Sequence, residues 1–209
     1  NTLITHIQAY LYQKKEWSPY QEGAFAPALC NRIDRNTGGI VIAAKTAEGL
    51  RVMNQKIRDR ELKKYYLCIV HGTLPRPAGR LEGYILKDEA KKQVTVSSRP
   101  RPGAKTAVTL YETLAVRNGL SLVRCQLITG RTHQIRAQFA AAGHPLLGDG
   151  KYGSERQNKR YGRSYQALYS YRLEFCFTTD AGALAPLDGQ QFQVEQVDFV
   201  TEYFPGFSL

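Results

Sequence analysis

The chain has 209 residues, 43% hydrophobic and 11% aromatic, which excludes disorder as the default and suits one packed core, or a core with a small lobe. Lysine and arginine total 29 against 18 acidic residues, a formal charge of +11, and a surplus of that size favours a polyanionic partner through counterion release. No apolar run approaches the roughly 20 residues of a membrane span, and no charged segment followed by an apolar one opens the chain as in a secretory leader.

In chain order, "NTLITHIQAYLYQKKEW" predicts a helix with Leu3, Ile7, Tyr10 and Leu11 on one face and Asn1 or Thr2 as its cap. "QEGAFAPAL" reads as loop, and "GGIVIAA" (38–44) as a short strand buried on both faces. Thr46 caps a second helix with the stripe Leu50, Met53 and Ile57 and a basic outer face. "YYLCIVHG" predicts a strand ended by Gly72, and "LEGYIL" and "QVTVSS" a hairpin around the charged turn "KDEAKK". "RPRPGAK" (99–105) is too rich in proline and glycine for regular structure. "AVTLYETLAV" and "LSLVRCQLI" alternate well and flank Asn118-Gly119, a strong hairpin signal. A helix is expected from about Thr132 to Ala142, stopped by Gly143. "KYGSERQNKRYGRS" reads as a basic loop, "ALYSYRLEFCF" as a strand, and "QFQVEQVDFV" as one more strand candidate in an irregular tail. Strands outnumber helices, and neither repeats nor a linker divide the chain. The fold class is α+β with a mixed, mainly antiparallel sheet.

Few residues carry an obvious chemistry. Asp34 in "CNRIDRNTGGI" stands between Arg32 and Arg35. It is either an ordinary turn residue or a carboxylate whose cationic neighbours favour the ionised form that a nucleophile or base requires. Gly38 and Gly39 after it allow close approach of another backbone or a ligand. In "TGRTHQIR" a strand feeds a glycine turn and a helix start, where free N–H groups and Arg131 make an anion site. Thr132 and Arg136, four apart, share a helix face. Arg136 lies beside the apolar stripe of Ile135 and Phe139, so it either points into a cleft toward a carboxylate or is simply solvated. His133 and His144 fall at opposite ends of this helix, so no metal site is read from them with Asp149. The four cysteines form no CxxC pair, which fits reduced cytoplasmic thiols. No serine elbow, P-loop or dinucleotide fingerprint is present, so no cofactor is implied. The 13 tyrosines offer flat surfaces for unstacked bases, so nucleic acid is favoured over a merely soluble basic protein.

Three blocks in order resemble the RluA-type pseudouridine synthases: "NRIDRNTGGIVIAAKT" (31–46), "KKYYLCIVHG" (63–72) and "LITGRTHQIRAQFAAAGHPLLGDGKYG" (127–153). "LEGYILKDEAKKQVTVSS" (81–98) is a looser match. The resemblance, over about residues 2–178, implies the pseudouridine synthase fold, with flanking helices and a central RNA-binding cleft. It also implies isomerisation of uridine in ribosomal RNA, of the large subunit above all, or in transfer RNA. The catalytic residues it implies are Asp34 as the reactive carboxylate, Tyr66 rather than Tyr65 against the base, and Arg136 as the partner of Asp34. Arg32, Arg35, Lys64, Arg131, Thr132 and His133 complete the set expected to touch RNA, with Arg32 filling the stack that a flipped base leaves.

Asn31 and Gly39 stand where many members have His and Ser, and the family's first strand, with its Lys-Pro-x-Gly stretch, is absent. Residues 1–209 are thus expected to be one catalytic domain lacking an N-terminal strand, with or without an S4-type RNA-binding domain before it in the full protein. The expected enzyme is a cytoplasmic monomer that uses neither metal nor cofactor, has no dedicated protein partner, and acts on RNA. A non-catalytic RNA-binding domain and a metal-dependent nuclease using Asp34 and Asp149 are the competing readings.

Overall fold

The computed structural model describes residues 2–209. Its first half runs through helix α1 (Leu3–Gln13), strands β1 (Ala28–Leu29), β2 (Gly38–Gly39) and β3 (Ala43–Ala44), helix α2 (Ala47–Arg58), and strands β4 (Leu62–His71), β5 (Ala78–Asp88) and β6 (Gln93–Ser97). Strands β7 (Lys105–Arg117) and β8 (Leu120–Leu127), helices α3 (Gln134–Ala141) and α4 (Glu155–Arg160), and strand β9 (Leu168–Phe175) follow. A 3₁₀ turn (Gly182–Leu187), strand β10 (Gln191–Gln193) and helix α5 (Asp198–Tyr203) end the chain. These elements gather into two compact units, each made of separated segments.

The larger unit comprises Asp34–Gly39, Lys63–Leu173 and Phe192–Leu209. Its sheet has the strand order β10-β9-β4-β8-β7-β5-β6, with β2 parallel to β9 and the pairs β4–β8, β7–β8, β5–β7 and β5–β6 antiparallel. The β7–β8 hairpin turns at Asn118 (φ 51°) and Gly119 (φ 74°), the positive-φ pair that a two-residue turn requires. Leu67, Cys68, Ile69 and Val70 of β4 are all fully buried, because both faces of this strand are covered. Around Leu67 and Ile69 pack Leu120, Leu122, Leu147, Tyr171 and Phe199. Helix α3 is fastened to the sheet through Gln138, which donates to Leu81 O and Ala107 O (both 3.1 Å) and accepts from Thr109 Oγ1 (2.7 Å).

The smaller unit comprises the segment ending at Ile33, Ile40–Leu62 and Glu174–Gln191. Here β1 pairs antiparallel with β3, and Thr46 caps α2 by accepting from Gly49 N–H at 3.0 Å. Lys56 is 1% exposed, and its ammonium donates to Glu61 Oε2 (2.7 Å), Thr179 O (2.6 Å) and Thr179 Oγ1 (2.8 Å). All three of its protons are satisfied, which makes a buried lysine tolerable.

Several expectations change. Helix α1 forms and Thr2 holds its N-cap position, bonded reciprocally to Thr5, while a cap at Asn1 lies outside the described residues. Of its expected apolar face only Leu11 is buried, and Leu3 and Tyr10 are about half exposed. Helical spacing tells which residues share a face, not whether anything covers it. The buried face of α2 is Gly49, Val52, Met53 and Lys56 rather than Leu50, Met53 and Ile57. Residues 38–44 make no single strand: β2 and β3 are two residues each and pair with different strands. The end of "QEGAFAPAL" pairs as β1, the basic loop after Lys151 contains α4, and the tail strand stops at Gln193, with Asp198 onward helical. Helix α3 starts at Gln134, because His133 is left-handed (φ 52°, ψ 23°), and this leaves Thr132 outside the helix.

Candidate active site

Within the larger unit, the turn that carries Asp34 is fastened from several sides. Thr37 N–H donates to Asp34 O (3.0 Å), and Gln166 Nε2 donates to Arg35 O (2.6 Å) and Thr37 Oγ1 (3.3 Å). Gly38 and Gly39 then run beside Tyr169 and Ser170 of β9. A Cβ on Gly39 would lie 2.2 Å from Ser170 O, and its φ of +115° is one that side-chain-bearing residues avoid. The glycine pair expected to permit close approach is therefore used by the protein's own backbone.

Helix α3 brings Arg136 to this turn. Its Nη1 donates to Asp34 Oδ2 at 3.2 Å, while Nε and Nη2 donate to Asp149 Oδ2 and Oδ1 at 2.7 and 2.9 Å. Asp149 is completely buried, and its Oδ1 also accepts from Lys151 N–H (2.9 Å) and Tyr152 N–H (3.2 Å). Burial pushes the Asp149 carboxyl up, but the bonds and charge of Arg136 and the two backbone donors outweigh it and hold the group below its ordinary value. Burial likewise disfavours the charged guanidinium, and Asp149 and then Asp34 reverse that, raising its pKa. Arg136 is thus buried rather than solvated, with Tyr152 under its guanidinium at 5.3 Å. The two carboxylates that a nuclease reading would place around a metal converge on this guanidinium instead. His144 is occupied elsewhere, its Nδ1 2.9 Å from His71 O. Among the described residues no group of three or more metal-ligating side chains comes together.

Tyr66 reaches the site from β4. It is 8% exposed, and its hydroxyl pKa is raised by burial first and by the negative charge of Asp34 as well, against a hydrogen bond from Ser170. Tyr65, on the opposite face of the strand, lies against the guanidinium of Arg172 at 5.0 Å. Lys64 shares the face of Tyr66, and burial lowers the pKa of its ammonium.

The expected anion site is partly closed. Arg131 N–H already donates to Gln134 Oε1 (3.0 Å), and its Nε donates to Thr106 O (3.0 Å). Thr132 and Arg35 are exposed, and His133 is half-buried with Nδ1 2.8 Å from the Tyr152 hydroxyl. Arg32 is exposed and belongs to the smaller unit. Sequence reasoning missed Asp149 as the clamp of Arg136, and also Tyr152. The one available signal was an isolated acid between two glycines after an apolar run, in "PLLGDG".

Residues 4–141 match the family model described as RNA pseudouridylate synthase. An uncharacterised RNA pseudouridine synthase of Mycoplasma genitalium is 38% identical over 156 residues, covering 72% of this chain and 47% of that protein. Ribosomal large subunit pseudouridine synthase D of Zymomonas mobilis is 31% identical over 181 residues, covering 86% and 54%. The chain spans about half the length of these curated relatives. The solved structure of human RNA Pseudouridylate Synthase Domain Containing 4 superposes with a TM-score of 0.71 at 22% identity, covering 95% of this chain and 80% of that one, which shows the shared fold. The family match covers more than half of the chain, and the chain therefore belongs to the RNA pseudouridylate synthase family, as its RluA-type motifs imply.

Proposed function

We propose that this chain isomerises uridine to pseudouridine in RNA, with large-subunit ribosomal RNA as its substrate class. The observation that carries the reading is the Asp34 carboxylate, 24% exposed, held by an arginine whose other edge is clamped on a buried aspartate. Ribosomal large subunit pseudouridine synthase D, among the relatives, supports the choice of RNA.

The atoms balance within the nucleoside. The N1–C1′ bond breaks, the uracil turns, C5 bonds to C1′, and the proton lost from C5 is matched by one gained at N1. Asp34 serves either by attacking C1′ or by taking a proton from the sugar, and both routes require an ionised carboxylate in a fixed position. Arg136 supplies its charge partner and orientation. Tyr66, buried and protonated at neutral pH, supplies the ring against the base. Extracting the base costs a few kcal/mol, and Arg32 is assigned the vacated stack. Lys64, Arg131, Thr132 and His133 are assigned to RNA, and Arg35 braces the loop through its backbone. Asp34, Tyr66 and Arg136 all come from one chain, which supports the reading of a monomer acting on RNA without a dedicated protein partner. Its four free cysteines fit the cytoplasm, and no helix of the described residues is long and apolar enough to cross a membrane.

The test is Asp34→Ala assayed for pseudouridine on ribosomal RNA transcripts, with RNA binding measured on the same sample. Lost product with retained binding supports the isomerase. Unchanged product ends the assignment, and binding without product in the wild type favours the RNA-binding domain. Mapping pseudouridines across ribosomal and transfer RNA, with and without the gene, identifies the target.

A further inference from the structure

The Tyr152 hydroxyl has one proton to place, and its neighbours decide where. Val94 N–H donates to it at 2.9 Å, and because a backbone amide can only donate, this bond occupies an oxygen lone pair. The other neighbour is His133 Nδ1 at 2.8 Å, and among the described residues the hydroxyl makes no further bond, so its proton goes to Nδ1. A histidine that accepts at Nδ1 is neutral and carries its proton on Nε2. Its surroundings agree: burial first, then Arg136 and Lys151, depress the imidazole pKa against the pull of Asp34 and Asp149. The ring also stands beside the candidate reactive carboxylate, because Tyr152, 2.8 Å from Nδ1, lies under the Arg136 guanidinium at 5.3 Å and that guanidinium donates to Asp34 Oδ2 at 3.2 Å. Nε2 has no protein partner among the described residues.

We infer that Tyr152 fixes His133 as its Nε2–H tautomer, and that this N–H is the donor that reads the base, pairing with the O4 carbonyl of uracil and opposing the N4 amine of cytosine. The choice of base rests on the proposed isomerase reading; the tautomer does not. A donor facing a carbonyl makes a bond, whereas a donor facing an amine leaves both groups unpaired, a difference of about tenfold or more in affinity. His133 thereby becomes a specificity residue, and Tyr152 a positioning residue that acts through it.

Long-range proton–nitrogen correlation spectra of the ¹⁵N-labelled chain at neutral pH test the first half, with His133→Gln identifying the signals among the four histidines. The expected result is a neutral ring protonated on Nε2, with Nδ1–H gaining population in Tyr152→Phe. Titration of the wild type with short oligouridylate and oligocytidylate probes tests the second half. The His133 signals are expected to move with the uridine probe and to need about tenfold more of the cytidine probe. An Nδ1–H or doubly protonated ring in the free protein overturns the inference, as does an equal response, or none, to the two probes. Absence of pseudouridine on ribosomal RNA transcripts, with tautomer and uridine response intact, counts against the proposed function and leaves this inference standing.

Discussion

Arg136 gives Asp149 two hydrogen bonds, at 2.7 and 2.9 Å, and spares one, at 3.2 Å, for Asp34. The buried aspartate therefore anchors the arginine, and the arginine then presents its remaining edge to the more exposed carboxylate. Replacing Asp149 by Asn keeps the shape but leaves a buried guanidinium without its main counter-charge. Breaking one side of a buried pair costs about 3–5 kcal/mol. Urea unfolding of Asp149→Asn should show a loss of that order, with pseudouridine formation falling alongside.

Asp34 should behave differently. It is partly exposed and holds a single bond, so the ion pair contributes at most about 1 kcal/mol after solvent screening. Asp34→Asn is expected to unfold within about 1 kcal/mol of the wild type while product formation drops by at least about a hundredfold. A large stability loss with activity retained would reverse the roles given to the two aspartates.

Gly39→Ala probes how the Asp34 turn is held. The added methyl would meet Ser170 O at 2.2 Å in a backbone conformation unfavourable to alanine. The turn must shift or the strain persist, at about 1–3 kcal/mol. Thermal melting should fall, and product formation should fall with it because β2, at Gly38–Gly39, closes the turn that carries Asp34. Unaltered melting and activity would show that the β2–β9 contact does not position the carboxylate.

The smaller unit carries its own pH signature. Lys56 above all, with the Thr178 and Thr179 hydroxyls, holds the Glu61 carboxyl down at about 2 against the opposing effect of burial. The folded value lies below the ordinary 4.5, so the stabilisation is complete above pH 4.5 and is lost as pH falls toward about 2. The melting-temperature gap between wild type and Glu61→Gln should stay flat from pH 7 down to about 5 and narrow below that. A gap that stays constant to pH 2 would remove Glu61 from the acid response.

Local chemistry made much of the fold legible. Asn118-Gly119 specified its hairpin because few residues tolerate two successive positive-φ positions, and Thr46 specified the start of α2 because its hydroxyl satisfies an orphan amide. The errors fell where packing overrode pattern. Lys56 joined the buried face of α2 because Glu61 and the distant Thr179 receive its protons, a fact that no window around residue 56 contains. Residues 38–44 divided because Gly38–Gly39 found β9 and Ala43–Ala44 found β1.

The same division applies to the site. By motif and charge alone, the sequence determined the family, the basic character suited to RNA, and Asp34, Tyr66 and Arg136 as the residues to examine. Only the tertiary structure decided that Arg136 is buried and shared, that Asp149 is its principal partner, and that Tyr152 stands under it with its hydroxyl on His133. The physical reason is range. Turn chemistry and capping act over a few neighbouring residues, whereas a buried charge takes whichever counter-charge the fold delivers, here one 13 residues away and another 102.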